Sequence, residues 1–119
     1  MKFFLLFFLY LLSFISCEYI FPTQNNVIVL DDKTFGYSMR VYKYMLVFFY
    51  TDNCEECKTF LPEYEKIASE ILKENIATAK IDARAEPVTA QTYKVNKYPT
   101  VILFIKGNNN IINYTGKFN

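Results

Sequence analysis

Six consecutive apolar residues, Met45 to Tyr50, constrain the fold of this 119-residue chain more than any other feature. The run is short and rich in residues that favour strands, and the polar segment Thr51 to Asn53 ends it. A strand with no polar position cannot present either face to water, so both faces must be covered. The run therefore predicts a central strand in the sheet of an α/β domain.

The segments around this run alternate between strand and helix patterns. Strand patterns also occupy residues 27–30, 76–81, 100–105 and 110–115. Helical patterns occupy residues 32–44, 54–72 and 87–93. Pro62 lies inside the second helical segment and should kink it. The alternation predicts parallel strands first, and the closing hairpin adds an antiparallel edge.

The first 17 residues have the pattern of a secretory signal peptide. Lys2 precedes an apolar run, small and apolar residues follow it to Cys17, and Glu18 ends the segment. One alternative is an uncleaved membrane anchor, for which a run of about 15 residues is shorter than the roughly 20 that span a bilayer. Another is a lipid-modified Cys17. We expect cleavage, one mature domain over residues 18–119 with two cysteines, and no stable membrane association afterwards. The expected location is the lumen of the endoplasmic reticulum or the cell exterior.

The residue types that the chain lacks exclude several kinds of chemistry. It has no histidine, which excludes Ser–His–Asp and Cys–His nucleophiles and every histidine metal site. Its three glycines, Gly36, Gly107 and Gly116, are too far apart for a phosphate-binding loop. Without residues 1–17, basic and acidic residues are equal in number, so a nucleic-acid partner is not expected.

Cys54 and Cys57 enclose two glutamates, Glu55 and Glu56, at the point where the apolar strand gives way to a helix. Zinc would need four ligands and hence a dimer, and a purely structural disulfide this short would constrain little of the unfolded chain. The spacing and context favour a redox dithiol. Free N–H groups and the helix dipole stabilise a Cys54 thiolate, and Cys57, one turn further on, can resolve a mixed disulfide. No cofactor is implied, because the two sulfurs carry the electrons.

From about residue 27 to 116 the chain resembles the thioredoxin fold, and most closely the catalytic domain of protein disulfide isomerases. The resemblance rests on segments 45–50, 57–64, 79–83, 98–100 and 114–116. It implies a three-layer fold with a central mixed sheet, and a thiol–disulfide oxidoreductase or isomerase with Cys54 and Cys57 as catalytic residues. The implied partners are unfolded or disulfide-bearing proteins of the secretory pathway and the thiols of redox partners.

The resemblance also implies a substrate groove beside the dithiol. Pro99 resembles the cis-proline that lies against the two cysteines in the family and helps to bind extended substrate backbone. Cis peptide bonds are a feature of proline, so this role is chemically permitted. Tyr98 and Thr100 would flank the groove. The alternative for Pro99 is an ordinary proline at the start of a strand.

Asn53, Glu55 and Glu56 depart from the family pattern, which has tryptophan before the first cysteine and Gly-His between the two. Together with Asp52, the glutamates place up to three negative charges around Cys54, and like charges disfavour a further anion. The glutamates also compete with the thiolate for the positive end of the helix. We therefore expect a higher pKa for Cys54 and a more reducing couple than in the Gly-His version.

A second departure is Phe48, which stands where the family has a buried carboxylate that assists proton transfer to the second cysteine. Lys80 aligns with the usual basic partner of that carboxylate. Without the acid, Lys80 is predicted to have no partner and to extend its charged end to solvent. Proton transfer for Cys57 would then depend on water or on Glu56, and catalysis is expected to be slow.

The C-terminal end departs as well, because Phe118 stands where the family has an arginine and the chain stops at Asn119, before the family's final helix. Uncovering several hundred Å² of apolar surface would cost on the order of 5 kcal/mol, comparable to the stability of a whole domain. We expect a C-terminally truncated domain, or another segment covering that face. The alternatives to an active enzyme are a non-catalytic or weakly catalytic thioredoxin-like binding or chaperone module, and a truncated product with no stable fold.

Overall fold

In the computed structural model of the protein, residues 4–9, 20–106 and 110–114 are described. A short helix, α1, occupies residues 4–9, and its large apolar side chains are all exposed. Within these ranges no helix is long and apolar enough to span a membrane. The assignment of residues 1–17 as a signal peptide, with the domain beginning at residue 18, stays a prediction.

The other elements build one α/β domain. The strands are β1 (Thr23–Gln24), β2 (Val27–Leu30), β3 (Tyr44–Tyr50), β4 (Ala77–Asp82), β5 (Thr100–Ile105) and β6 (Asn110–Asn113). The helices are α2 (Asp32–Val41), α3 (Glu55–Ile71), α4 (Pro87–Thr92) and a 3-10 turn at Leu72–Glu74. The predicted elements are all present, and β1 is an addition to them.

Six strands form one mixed sheet in the order β1-β2-β4-β3-β5-β6. β4 runs parallel to β2 and β3, whereas β3 and β5 are antiparallel, as are the two edge pairs β1–β2 and β5–β6. The predicted interior position of the 45–50 run is thereby confirmed, because β3 lies between β4 and β5. In this register Phe48 lies opposite Lys80 on β4 and Val101 on β5.

Simple alternation of strands and helices predicts that β5 runs parallel to its neighbour, and this prediction is wrong. β4 ends at Asp82, paired with Tyr50, and β5 begins at Thr100, paired with Phe49. The end of β4 and the start of β5 therefore both lie beside the C-terminal end of β3. Between them α4 has only six residues. Such a helix is about 9 Å long, so it does not by itself return the chain along the roughly 20 Å of a six-residue strand. The connection does not carry the chain back to the opposite edge, and β5 returns antiparallel.

Two apolar clusters cover the two faces of the sheet and explain the unbroken apolar run. Met45, Val47 and Phe49 point to the cluster under α2 and α4, which contains Phe35. The alternate side chains of β3 point to the cluster under α3: Leu46, Phe48 and Tyr50. Helices therefore lie on both faces, and the expected three-layer architecture with a mixed sheet is confirmed.

Local boundaries follow from caps and pairing. Asp31 caps α2 in a capping box with Thr34, whose N–H donates to Asp31 Oδ1 at 2.8 Å. α2 ends at Val41, before the predicted 44, because Tyr44 already pairs with Ile105 in the sheet.

The helix α3 continues through Pro62 and buries Tyr64 and Ala68. Ile67 and Leu72 continue the three- and four-residue apolar spacing of this segment, yet both are exposed in the structure. For Leu72 the reason is that it belongs to the 3-10 turn after the helix, where the 3.6-residue spacing no longer holds.

The described chain ends just after β6, at Tyr114, with no helix following β6 among the described residues. Ile112 on this edge strand is exposed. The expected Gly116 landmark and the aligned position of the family's arginine, Phe118, lie outside the described residues.

Candidate active site

Cys54 and Cys57 form a disulfide at the start of α3, with their Cα atoms 5.2 Å apart. Cys54 is the N-cap of the helix, and its Sγ accepts a hydrogen bond from the backbone N–H of Cys57 at 3.1 Å. Cys54 is half-buried, whereas Cys57 is only 3% exposed and packs in the cluster under α3. The first cysteine is therefore partly accessible and the second is shielded, which suits the attacking and resolving roles that the sequence predicts for them.

Glu55 and Glu56 are both exposed on the first turn of α3, beside Cys54. Glu55 pairs with Lys58 at 3.1 Å, and Asp52 in the preceding loop pairs with Arg84 at 3.8 Å. Two of the three carboxylates that the sequence places around Cys54 thus have cationic partners. Solvent screens these exposed pairs, so they reduce the negative potential at Cys54 only in part.

The Tyr98–Pro99 peptide bond is cis, as the resemblance implies. Pro99 is buried, and Thr100 begins β5 opposite Phe49, at the sheet edge where β3 leads to the dithiol. Tyr98 is half-buried and lines an open cavity of about 330 Å³ together with Asn53, the residue before Cys54. The three predicted groove residues are therefore brought to the same edge as the disulfide, and their contact with a substrate stays a prediction.

Phe48 is 1% exposed, and aromatic rings surround it. The ring of Phe60 stacks on it at 5.2 Å between centroids, and the ring of Tyr64 lies 5.1 Å away. The position at which the resemblance implies an acid is thus part of an apolar cluster in this chain.

Lys80 does not extend to solvent, and that expectation is wrong. The residue is 8% exposed, and its Nζ donates to Gln24 Oε1 at 2.8 Å. Nζ also lies 5.9 Å from the ring centroid of Tyr50. The physical reason is β1, which brings Gln24 over β2 to the Lys80 side chain. β1 has two residues, too few for any alternating pattern to reveal.

A cavity of about 230 Å³ behind the dithiol is a feature that sequence reasoning missed. It is lined by Phe48, Tyr50, Thr51, Asp52, Cys57, Lys58, Leu61 and Lys80. These residues come from β3, β4, α3 and the loop between β3 and α3, so no local pattern could have revealed their meeting. The buried cysteine and the buried lysine line this cavity together.

No group of three or more metal-ligating side chains lies close together in residues 4–9, 20–106 and 110–114. Cys54 and Cys57 are joined to each other. The arrangement as it stands is that of a two-sulfur redox centre.

Comparison with known proteins agrees with this geometry. The family model described as Thioredoxin matches residues 26–119. Protein disulfide-isomerase of Oryctolagus cuniculus is 40% identical over 86 residues, which are 71% of this chain and 17% of that protein. Protein disulfide-isomerase A4 of Bos taurus is 42% identical over 87 residues, 71% of this chain and 13% of that protein. The chain thus spans less than a fifth of the length of these curated relatives.

Solved structures give the same result. The first thioredoxin domain of mouse protein disulfide-isomerase A4 superposes with a TM-score of 0.73 at 37% identity, covering 84% of this chain and 71% of that one. The zinc-bound form of human ERp44 superposes with a TM-score of 0.67 at 28% identity, covering 77% of this chain and 27% of that one. With its fold, its disulfide and a family match over most of its length, the chain belongs to the thioredoxin family.

Proposed function

We propose that this protein is a thiol–disulfide oxidoreductase or isomerase that acts on proteins of the secretory pathway through Cys54 and Cys57. The observation that carries the proposal is the disulfide at the start of α3, with a half-buried first cysteine and a second cysteine that is only 3% exposed. This asymmetry favours different tasks for the two sulfurs, since the less buried cysteine can meet a protein disulfide more readily.

In the reducing direction, the Cys54 thiolate attacks one sulfur of a substrate disulfide. The Cys54–substrate bond forms, the substrate disulfide breaks, and the released sulfur leaves as a thiolate that takes a proton from water. The deprotonated Cys57 then attacks Cys54 Sγ, forming the intramolecular disulfide and releasing the second substrate sulfur. The substrate gains two electrons and the dithiol loses two. The Cys57 N–H that donates to Cys54 Sγ at 3.1 Å supports the thiolate in this cycle.

We assign the substrate groove to Tyr98, Pro99 and Thr100 because they lie at the same sheet edge as the disulfide. The proposed partners are unfolded or disulfide-bearing proteins and the thiols of redox partners, in keeping with relatives named protein disulfide-isomerase. The signal-like pattern of residues 1–17 supports a location in the endoplasmic reticulum lumen or outside the cell. We assign no cofactor, since the two sulfurs supply the electron pair.

Insulin reduction by the purified chain, with a thiol reductant as electron source, tests the proposal. We expect Cys54→Ser to lower the rate to that of the reductant alone, because the attacking thiolate is gone. Cys57→Ser should accumulate a mixed disulfide with substrate, visible on non-reducing gels. Ser69→Ala, at an exposed position of α3, is the control and should match the parent. Equal rates for Cys54→Ser and the parent would refute the enzymatic proposal.

A binding or chaperone module is the second candidate, and Phe48 favours it. Its ring occupies a buried aromatic cluster where an acid would assist proton transfer to Cys57. If binding is the main activity, a variant with both Cys54→Ser and Cys57→Ser should still suppress aggregation of a reduced, unfolded protein as well as the parent does. Loss of suppression in the double variant would count against this candidate.

A further inference from the structure

Two buried residues, Lys80 and the second cysteine of the dithiol, line one cavity. Lys80 on β4 and Cys57 on α3 both face the volume of about 230 Å³ behind the disulfide. Lys80 Nζ donates to the Gln24 amide oxygen at 2.8 Å and lies 5.9 Å from the Tyr50 ring centroid. Both of these neighbours are uncharged partners, and no carboxylate forms an ion pair with Lys80 in the described part of the chain.

The other charges around the cavity face water. Tyr64 on α3 is buried, and its burial raises its pKa well above the ordinary value, so it stays neutral. The other titratable side chains near the cavity are exposed or half-buried: Tyr50, Asp52, Glu55, Glu56, Lys58 and Asp82. Asp52 and Lys58, which line the cavity itself, also pair with Arg84 and Glu55 at the surface. Water and salt screen such exposed charges, whereas a charge held inside the protein acts through a lower dielectric. Lys80 therefore dominates the potential inside the cavity.

The disulfide exchange creates one negative charge on a residue that lines the same cavity as Lys80. When Cys57 leaves a disulfide or prepares to attack one, its sulfur must become a thiolate. The shielded position of Cys57 removes most of the water that would otherwise stabilise that anion. An uncompensated cation in the same cavity offsets this loss, because opposite charges attract more strongly where water is scarce.

We propose that Lys80, held in place by Gln24, is the positioning residue that stabilises the Cys57 thiolate, in place of a carboxylate acting as proton acceptor. This inference rests on the proposed exchange function. In the resolving step the Cys57 proton passes to water in the cavity, which the volume can hold. The thiolate then attacks Cys54 Sγ, forming the Cys54–Cys57 bond as the substrate sulfur departs with the electron pair.

The direct test titrates Cys57 alone, in a Cys54→Ala background, by the ultraviolet absorbance of its thiolate. We expect Lys80→Met to raise the titration midpoint by about one pH unit, a tenfold loss of thiolate at a given pH. Lys80→Arg should retain the parent midpoint, because it keeps the charge. Gln24→Leu should shift the midpoint in the same direction as Lys80→Met. Lys73→Met, which removes an exposed lysine from the 3-10 turn, is the control.

In the intact dithiol, Lys80→Met should slow resolution of the mixed disulfide about tenfold at pH 7, with the difference closing at higher pH. The alkylation rate of Cys54 should not change. An unchanged Cys57 midpoint in folded Lys80→Met, or equal slowing of Cys54 alkylation, would overturn the proposal. If Lys80→Met does not fold, an unchanged midpoint in Gln24→Leu overturns it instead. If Lys80→Met raises the Cys57 midpoint but the parent does not reduce insulin, the enzyme function is refuted and the Lys80 interaction stands.

Discussion

Asp32 joins the first turn of α2 to the start of α4, and its removal should weaken the domain measurably. Its Oδ1 accepts from the Thr89 backbone N–H at 2.8 Å and from the Thr89 hydroxyl at 2.7 Å. Its Oδ2 accepts from the Val88 N–H at 3.3 Å. These bonds cross 56 and 57 residues of sequence, and they hold the helix that leads to the Tyr98–Pro99 bond.

The size of the effect follows from these three bonds. A hydrogen bond to a charged group contributes about 1.5–3 kcal/mol, and loss of a helix N-terminal cap costs about 1 kcal/mol, within 0.5–2. Asp32 is half-buried, so water replaces part of what is lost. We therefore expect Asp32→Ala to lower the free energy of unfolding by about 2 kcal/mol, well short of the sum of three such bonds. In a domain of this size that corresponds to a fall in Tm of about 8–16 °C.

The pH dependence of this loss has a definite sign. Burial raises the pKa of Asp32, but the hydrogen bonds from Thr89 and Val88 outweigh it, so the pKa lies below its ordinary value of 3.8. A carboxylate with a depressed folded-state pKa stabilises the fold fully above the unfolded-state pKa, about 3.9. That contribution is lost as the pH falls through the folded-state pKa. The deficit of Asp32→Ala should therefore be largest at pH 7 and shrink below about pH 4.

Urea unfolding of the oxidised chain, followed by circular dichroism at pH 7 and pH 3, measures this deficit. Lys33→Ala, at the exposed neighbouring position, is the control for helix propensity. A double-mutant cycle with Thr89→Val isolates the coupling between the two helices. Equal deficits at both pH values, or strict additivity with Thr89→Val, would refute the reasoning.

Two further predictions concern α3. Tyr64→Phe should lower the free energy of unfolding, measured in urea, by about 1–2 kcal/mol. The reason is that the buried hydroxyl lies 3.0 and 2.7 Å from carbonyl oxygens of β3 and β4. A loss no larger than that caused by a substitution at an exposed position would contradict this. The paired change Glu55→Gln and Glu56→Gln should lower the pKa of Cys54 and make the couple more oxidising, by removing like charge from the helix start. The absorbance of the thiolate measures the pKa of Cys54, and equilibrium with glutathione measures the reduction potential. Glu63→Gln, further along the helix, is the control. Equal shifts in the control and in the paired variant would show that net charge alone is responsible.

The sequence was most informative where local chemistry determines the structure. β2 and β5 occupy the predicted residues because each is an apolar run bounded by polar or turn residues. Cys54 was predictable as the start of a helix because a polar loop precedes it and an amphipathic pattern follows. Both features need only neighbouring residues to be recognised.

The features that were missed all depend on contacts between distant segments. The direction of β5 depends on how far α4 carries the chain, and the partner of Lys80 depends on β1, which is too short to show a period. The cavity behind Cys57 is assembled from four segments. A hydrogen bond such as Lys80–Gln24, across 56 residues, has no local signature.

The missed bond changes how the charges of the site are understood. From sequence, the exposed Glu55 and Glu56 were the dominant charges, acting on Cys54. In the folded chain a second charge of opposite sign, Lys80, lies on the side of Cys57. The two sets of charges differ in burial as well as in sign, because the glutamates are exposed and Lys80 is buried. Salt should weaken the effect of the glutamates on Cys54, because they face solvent. It should weaken the effect of Lys80 on Cys57 less, because both of those residues are buried. The two sulfurs can therefore be tuned independently, one from the surface and one from within.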